Sequence, residues 1–195
     1  MDPLNFHPKT YKGHPNGPFP HKKGPFHILC LSGGGYLSLY TVLVLANLEK
    51  RTGKPLHHNF DLIAGTSAGG ILAMAVSLGV PMNKFAKLFA YCATRLFEDE
   101  KPKSRTQNIR DTFNFLFNSK YDNDELKTLL TQFLPETFTM ADIGKRLLIP
   151  AYNMTKAAPH SLRTHYLQNQ SHAGHWTARD VCMATSAAPL FFPLY

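Results

Sequence analysis

The stretch "FDLIAGTSAGG", residues 60–70, joins an apolar run to a glycine-rich turn that carries a serine. Its start, Phe60–Ala64, predicts a buried strand, and Ala68–Leu78 predicts a helix. Between them, the pattern G-x-S-x-G places Ser67 at a strand-to-helix turn, the context of a nucleophile elbow. The alternative is a glycine-rich helix start with an incidental serine. Ser67 is the candidate nucleophile, and the predicted elbow comprises Gly65, Thr66, Ala68 and Gly69.

A second glycine-rich segment, "CLSGGGYLSLY" at residues 30–40, follows the apolar run Phe26–Leu31. Tyr36–Arg51 carries apolar residues at helical spacing, so the glycines lie between a predicted strand and a predicted helix. Loops that follow parallel strands meet at one edge of a sheet, so we expect this loop beside the serine turn. Its amides would then bind the oxyanion formed when Ser67 attacks a carbonyl. The predicted oxyanion hole comprises Gly33, Gly34 and Gly35.

Two other interpretations of these segments are less favoured. A dinucleotide site requires G-x-G-x-x-G, but residues 33–38 read G-G-G-Y-L-S, and no P-loop lysine follows. The uncharged stretch Ile63–Met82 is long enough to cross a membrane. Its glycine–serine turn at the start and Gly79-Val80-Pro81 at the end favour instead a strand, a turn and a buried helix.

Further along the chain, apolar periodicity alternates between the helical and the extended pattern. Helices are predicted at Asn83–Phe97, Asp124–Leu134 and Thr177–Ala187, and strands at Arg146–Asn153 and Leu162–Leu167. Such alternation is typical of an α/β fold with a mostly parallel sheet flanked by helices.

The composition is that of a globular domain, with 195 residues, 44% hydrophobic and 17% charged. The formal net charge of +8 favours an anionic partner, either a phospholipid surface or a nucleic acid. No aromatic–basic motif supports nucleic-acid binding, so no nucleic-acid partner is predicted. Cys30, Cys92 and Cys182 lie among apolar residues, which predicts buried, reduced thiols and a cytoplasmic location. No metal-ligand cluster is present, and neither a metal nor a cofactor is predicted.

Three motifs, "LSGGGY", "FDLIAGTSAGG" and "RDVCMATSAAPLFF", occur in this order. Together they resemble the patatin-like phospholipase family over roughly residues 26–193. The resemblance implies a three-layer α/β/α fold and hydrolysis of lipid acyl esters by a Ser–Asp dyad. It assigns the nucleophile to Ser67 and the oxyanion loop to Gly33–Gly35. We accordingly predict an irregular N-terminal arm, residues 1–25, without the apolar core of a secretory leader, and a patatin-like domain, residues 26–195, that is incomplete at its C-terminus.

Within the family, the first motif is most similar to bacterial antiphage effectors that cyclic nucleotides activate. This similarity implies a phospholipid membrane surface and a cyclic nucleotide activator as partners, with a peripheral location at the inner membrane face. A homo-oligomer is a further expectation. The aromatic segment Thr112–Phe117, flanked by lysines and arginines, is a candidate membrane-contact patch, unless its rings lie in the core.

Two departures from the family's pattern affect the predicted chemistry. Leu37 and Ser38 stand where the family usually has Arg-Gly, which removes a cation beside the oxyanion loop. The family's dyad aspartate lies in an Asp-Gly motif beyond the Ala-Ala-Pro segment, but this chain contains no Asp-Gly pair before Tyr195. The dyad aspartate is therefore expected to lie outside this chain, and residues 1–195 alone are expected to hydrolyse phospholipid at little above the background rate.

Other residues are candidates for the base that takes the proton of Ser67, and none is assigned this role. His172 and His175 follow the serine, as in Ser-His-Asp hydrolases, but their segment "NQSHAGHW" favours a polar surface loop. Asp180 is explained as part of a helix cap, and Asp61 is expected to point away from Ser67. The alternative functions are a catalytically silent patatin fold that binds lipid or a partner, and a basic nucleic-acid-binding protein.

Overall fold

The computed structural model describes residues 24–97, 123–164, 175–188 and 195. The strands in these ranges are β1 Ile28–Leu31, β2 Leu62–Gly65, β3 Arg146–Asn153 and β4 Ala158–Arg163. The α-helices there are α1 Ser38–Thr52, α2 Ala68–Ser77, α3 Met82–Phe97, α4 Asn123–Thr131 and α5 Ala178–Ser186. Short 3-10 turns occupy Gly35–Leu37, Leu56–His58 and Met140–Asp142.

The described strands form one sheet in the order β1-β2-β3-β4. β1 pairs with β2, and β2 with β3, in parallel, with Leu31 opposite Gly65 and Ala64 opposite Leu148. Helices surround this sheet, so the predicted α/β architecture with a mostly parallel sheet is confirmed and agrees with a three-layer α/β/α fold. The carboxyl ends of the parallel strands meet at one edge, where the glycine loop and the serine turn both leave the sheet.

The last strand differs from its sequence prediction. β4 begins at Ala158 instead of Leu162, and it pairs with β3 in an antiparallel hairpin. The Asn153 side-chain oxygen accepts the N–H of Lys156 at 2.9 Å and stabilises the connecting turn. Because the hairpin needs no crossover helix, the sheet is parallel only from β1 to β3, and its last strand is antiparallel.

Helix ends follow local signals in the chain. α1 begins at Ser38 instead of Tyr36, because a 3-10 turn that includes Gly35 at φ 51° precedes it. α4 ends at Thr131, earlier than predicted, and the N–H groups of Gln132 and Phe133 make the three-residue bonds of a tighter turn to Leu129 and Leu130. α5 begins after Thr177, whose hydroxyl accepts the N–H of Asp180 at 3.0 Å, so the predicted cap is present.

α2 lies at the centre of the core, and every residue of Ala68–Ser77 is buried. It packs against β1, β2 and β3. The uncharged stretch Ile63–Met82 is therefore a strand, a turn and a buried helix, as predicted. In the ranges that the structure describes, we find no helix with the length and apolar character that a bilayer crossing needs.

Two of the three cysteines are buried, and the third lies on an exposed apolar surface at β1. Cys92 and Cys182 are buried as predicted, and burial raises the pKa of the Cys182 thiol. The prediction was wrong for Cys30, which is exposed. Its strand is the first of the described sheet, and alternate residues of a strand share a face, so Cys30 is exposed together with Ile28. On α1 the exposed apolar side chains include Tyr40, Leu43 and Val44.

Three predictions fall on residues outside the described ranges. They concern the N-terminal arm up to residue 23, the aromatic segment Thr112–Phe117, and His172.

Candidate active site

Ser67 lies at the turn between β2 and α2, as the sequence predicts. Its backbone has φ 55° and ψ −131°, a conformation that costs free energy for a residue other than glycine. Its carbonyl oxygen accepts the N–H groups of Gly70 at 2.8 Å and Ile71 at 3.1 Å, so the first turn of α2 starts from the serine itself. The N-terminus of a buried helix thus lies directly behind the serine, where its dipole favours negative charge.

The glycines of the elbow are required by close backbone contacts. A Cβ on Gly65 would overlap the carbonyl oxygen of Gly69, in the first turn of α2. A Cβ on Gly69 would overlap the carbonyl oxygen of Leu31 and lie 2.5 Å from that of Ser32, at the end of β1. Each glycine therefore allows two backbone segments to approach more closely than any side chain permits.

The predicted oxyanion loop lies against the serine. A Cβ on Gly33 would lie 3.0 Å from Ser67 Cβ and 3.7 Å from Ser67 Oγ. In the described part of the chain, the amide N–H groups of Gly33, Gly34 and Gly35 have no hydrogen-bond acceptor. The structure thus brings Gly33 of this loop next to the candidate nucleophile, and the loop carries unbonded amides of the kind that an oxyanion hole needs.

The two departures from the family's motif lie at the start of α1. The Leu37 side chain is 78% exposed. Ser38 is buried, and its hydroxyl has no partner among the described residues. A Cβ on Gly34 would lie 3.5 Å from Ser38 Oγ, so this hydroxyl packs behind the glycine loop. An exposed apolar side chain therefore stands at the family's arginine position, and a buried hydroxyl stands at its glycine position.

Of the candidate bases, Asp61, His175 and Asp180 lie in the described ranges, and none of these three is hydrogen-bonded to the serine hydroxyl. Asp61 precedes β2, at the opposite edge of the sheet, and its carboxylate accepts the N–H of His27 at 2.7 Å. His175 stacks on Trp176, with ring centroids 5.9 Å apart. Asp180 accepts a hydrogen bond from the Tyr195 hydroxyl at 2.6 Å. Within the described ranges, no side chain is hydrogen-bonded to Ser67 Oγ.

A cavity of about 670 Å³ opens between the β3–β4 hairpin and α5. It lies towards the carboxyl edge of the sheet, because the last residues of β3, Ala151–Asn153, line it. Most of its lining is apolar, with Leu162 and Ala184 as examples, and the Asp180–Tyr195 pair adds a polar group. The hydrogen bond to Asp180, together with burial, raises the pKa of Tyr195 to about 12.

Sequence reasoning missed Thr185 as a neighbour of the serine. Its hydroxyl accepts the backbone N–H of Ser67 at 3.0 Å, across 118 positions of the chain. The residue belongs to the motif "RDVCMATSAAPLFF", so the signal that could have pointed to it is the recurrence of this segment with the other two motifs. The third motif thus contacts the elbow directly.

Comparison with known proteins agrees with this geometry. The family model described as patatin-like phospholipase matches residues 29–195. A cGAMP-activated phospholipase of Pseudomonas aeruginosa is 37% identical over 169 residues, covering 87% of this chain and 49% of the relative. A cGAMP-activated phospholipase of Vibrio cholerae is 31% identical over 186 residues, covering 91% and 52%.

A cUMP-AMP-activated phospholipase of Escherichia coli is 33% identical over 99 residues, covering 51% of this chain and 31% of the relative. The chain therefore spans about half the length, or less, of the curated relatives it matches. The match to the family model covers most of the chain, and two of these relatives match over nearly all of it at more than 30% identity. The chain belongs to the patatin-like phospholipase family.

Proposed function

We propose that the protein is a lipid acyl hydrolase of the phospholipase A type, with Ser67 as its nucleophile. The observation that carries this proposal is the approach of Gly33 to Ser67, together with the positive φ of the serine. A nucleophile held at a helix N-terminus beside free amides suits acyl transfer, because negative charge develops on the carbonyl oxygen. The apolar cavity at the same edge of the sheet has a volume suited to an acyl chain.

The proposed reaction has two steps. Ser67 Oγ loses its proton to a base and attacks the ester carbonyl, and the amides of Gly33–Gly35 hold the oxyanion. The lysophospholipid leaves with a proton returned by the base, and a fatty-acyl serine remains. Water then attacks this ester, the base takes the proton of the water and returns it to Ser67 Oγ, and the fatty acid is released. The base is an aspartate of a Ser–Asp dyad, as in the family, and we place it outside the described residues.

The relatives' names suggest how the activity is controlled. Three of them are named for activation by cGAMP or cUMP-AMP. We propose that a cyclic nucleotide also activates this protein, as an antiphage effector that degrades the membrane from the cytoplasmic side. Its formal net charge of +8 would favour contact with anionic lipid, and assembly into a homo-oligomer is part of the same proposal.

The test is release of fatty acid from phosphatidylethanolamine–phosphatidylglycerol vesicles by the full-length protein, with and without cGAMP or cUMP-AMP. Ser67→Ala is expected to lower the rate by on the order of 10⁴-fold or more, while the protein still folds. Ser77→Ala is the matched control, because this hydroxyl only donates to the Met74 carbonyl within the same helix. Hydrolysis by Ser67→Ala near the unaltered rate would refute the assignment.

A second candidate function is a catalytically silent patatin fold that binds lipid. The observation that favours it is the replacement of the family's Arg-Gly by Leu37 and Ser38, which leaves no cation at these positions beside the loop. A silent protein would bind the vesicles, release no fatty acid, and leave Ser67 unlabelled by a fluorophosphonate probe. Labelling of Ser67 would exclude this function.

A further inference from the structure

Thr185 connects the serine turn to the neighbouring strand. It is the penultimate residue of α5 and is 8% exposed. Its hydroxyl accepts the N–H of Ser67 at 3.0 Å and donates to the carbonyl oxygen of Pro150 in β3 at 2.7 Å. A single hydroxyl thus uses both its acceptor and its donor on backbone groups of two different elements.

These two bonds lie beyond the point where β2 and β3 are paired. The parallel pairing of these strands ends at Ala64 and Leu148, so Pro150 lies past the last residue of β3 that pairs with β2, although it still pairs with Ser161 of β4. The chain at Ser67 has left the sheet and carries a positive φ. Such a conformation persists only where surrounding contacts determine it. Thr185 supplies a backbone contact of this kind from outside the turn.

Gly70 provides the space for this contact. A Cβ on Gly70 would lie 2.8 Å from Thr185 Cγ2 and 3.3 Å from Ile149 Cγ2. Gly70 stands outside the G-x-S-x-G pattern, but its Cβ would also lie 3.2 Å from the carbonyl oxygen of Gly65 in the elbow. A side chain at position 70 would therefore press on both the serine turn and the Thr185 methyl group, and it would displace the threonine that bonds to the Ser67 N–H.

We propose that Thr185 is a positioning residue that holds the backbone of Ser67 in the conformation required for attack. It acts through the serine and has no contact with the substrate. Because the Ser67 N–H is already bound to Thr185, the oxyanion receives its hydrogen bonds from other amides, such as those of Gly33–Gly35. This inference rests on the proposed role of Ser67 as the nucleophile.

The first test compares two substitutions in the full-length protein. Thr185→Val keeps the shape but removes the hydroxyl, and it should lower kcat by about 10- to 100-fold with little change in KM, the loss expected when a reacting group is displaced. Thr185→Ser restores the hydroxyl and should keep kcat within about threefold of the unaltered protein. Ser186→Ala is the matched control, because that buried hydroxyl has no partner among the described residues.

The second measurement is the rate at which a fluorophosphonate probe labels Ser67, which does not depend on the lipid. It should follow the same order, with Thr185→Val slow and both Thr185→Ser and Ser186→Ala fast. Equal rates for Thr185→Val and the unaltered protein would overturn the proposal. An equal loss in Thr185→Ser and Thr185→Val would also overturn it, because the hydroxyl would then not be the cause.

A double substitution covers the case in which Thr185→Val fails to fold. Gly70→Ala should slow labelling of Ser67, because its Cβ displaces the threonine methyl group. In the Thr185→Ser background this methyl group is absent, so Gly70→Ala should slow the labelling of Ser67 by a smaller factor there. Such non-additivity is expected between residues in contact. Additive effects would overturn the proposal.

The phospholipase activity and the positioning role of Thr185 can be tested separately. If the unaltered protein releases no fatty acid but Ser67 is labelled, the phospholipase proposal fails and the labelling rates still support or overturn the role of Thr185. If Ser67 is never labelled in the unaltered, folded protein, both proposals are overturned.

Discussion

Two glycine-rich turns meet at the carboxyl edge of the sheet, and they use glycine for different reasons. In the serine turn, a Cβ on Gly65 or Gly69 would overlap carbonyl oxygens of the backbone. In the oxyanion loop, a Cβ on Gly34 would meet only side-chain and backbone atoms at 3.5 Å or more, which is ordinary van der Waals contact. Glycine is thus a steric requirement in the serine turn, whereas at Gly34 it is not.

The difference shows how the site is built. The serine turn is packed between β1, α2 and α5, so its conformation is part of the core. The oxyanion loop contacts the turn at one point, where a Cβ on Gly33 would lie 3.0 Å from both Ser67 Cβ and the Thr66 carbonyl oxygen. Substitutions in the serine turn should therefore affect folding, and those in the oxyanion loop should affect the rate of the reaction.

The largest effect is expected in the serine turn. Gly65→Ala or Gly69→Ala would force backbone atoms apart in the core, and each should lower the free energy of unfolding by about 3 kcal/mol or more. Urea unfolding followed by circular dichroism measures this loss. Gly53→Ala is a control of a different kind. Gly53 has open space around it but a positive φ of 65°, so this substitution should lower the free energy of unfolding by about 1 kcal/mol. A stable Gly65→Ala protein would contradict the comparison.

Gly33→Ala should have a smaller effect on stability and a clear effect on rate. Its Cβ would press on Ser67 Cβ and the Thr66 carbonyl oxygen, each 3.0 Å away, and displace the nucleophile by a few tenths of an ångström. We expect kcat to fall by roughly 10- to 100-fold. Fatty-acid release and the melting temperature are measured together. A loss of stability as large as that of Gly65→Ala would show that the loop and the turn are equally constrained.

Gly34→Ala should change the rate least of the glycine substitutions. Its Cβ would face Ser38 Oγ at 3.5 Å and Leu37 Cβ at 3.7 Å, and neither contact requires a shift. We expect kcat within about threefold of the unaltered protein, since no reacting group is displaced. If kcat instead falls as far as in Gly33→Ala, the exposure of the Gly34 amide, and not space, would be the reason for glycine at that position.

At neutral pH the smallest effect is expected away from both turns, at His57, where the contribution to stability appears only on acidification. Its ring packs against Gly79, and its Nδ1 is buried without a partner among the described residues. Burial, followed by the charges of His58 and Lys145, lowers the pKa of His57 from 6.5 to about 4. Between these pH values the unfolded chain binds more protons than the folded protein, so stability should fall as the pH decreases from 6.5 towards 4.

The measurement is the free energy of unfolding of the unaltered protein and of His57→Gln across this pH range. The unaltered protein should lose more stability on acidification. At neutral pH, Ser67 should be labelled at the same rate in both proteins. Identical pH dependence in the two proteins would exclude His57 as the titrating group.

Local signals were sufficient for much of the fold. The apolar run Leu62–Ala64 and the small residues around Ser67 predicted a strand, a sharp turn and a helix, because these conformations depend on neighbours within a few residues. The cap at Thr177 was predicted for the same reason. The β3–β4 hairpin was not, because its strand from Ala158 to Arg163 contains proline and polar residues and forms by pairing with β3.

The elbow, the glycine loop and the family were predictable from the sequence alone, because they depend on residue types at short spacing that the backbone geometry requires. The exposure of Cys30, the space at Gly70 and the contact of Thr185 with Ser67 are visible only in the folded protein. These features depend on which elements pack together, and no spacing along the chain encodes them. A hydrogen bond across 118 positions exists only when the sheet and α5 have assembled.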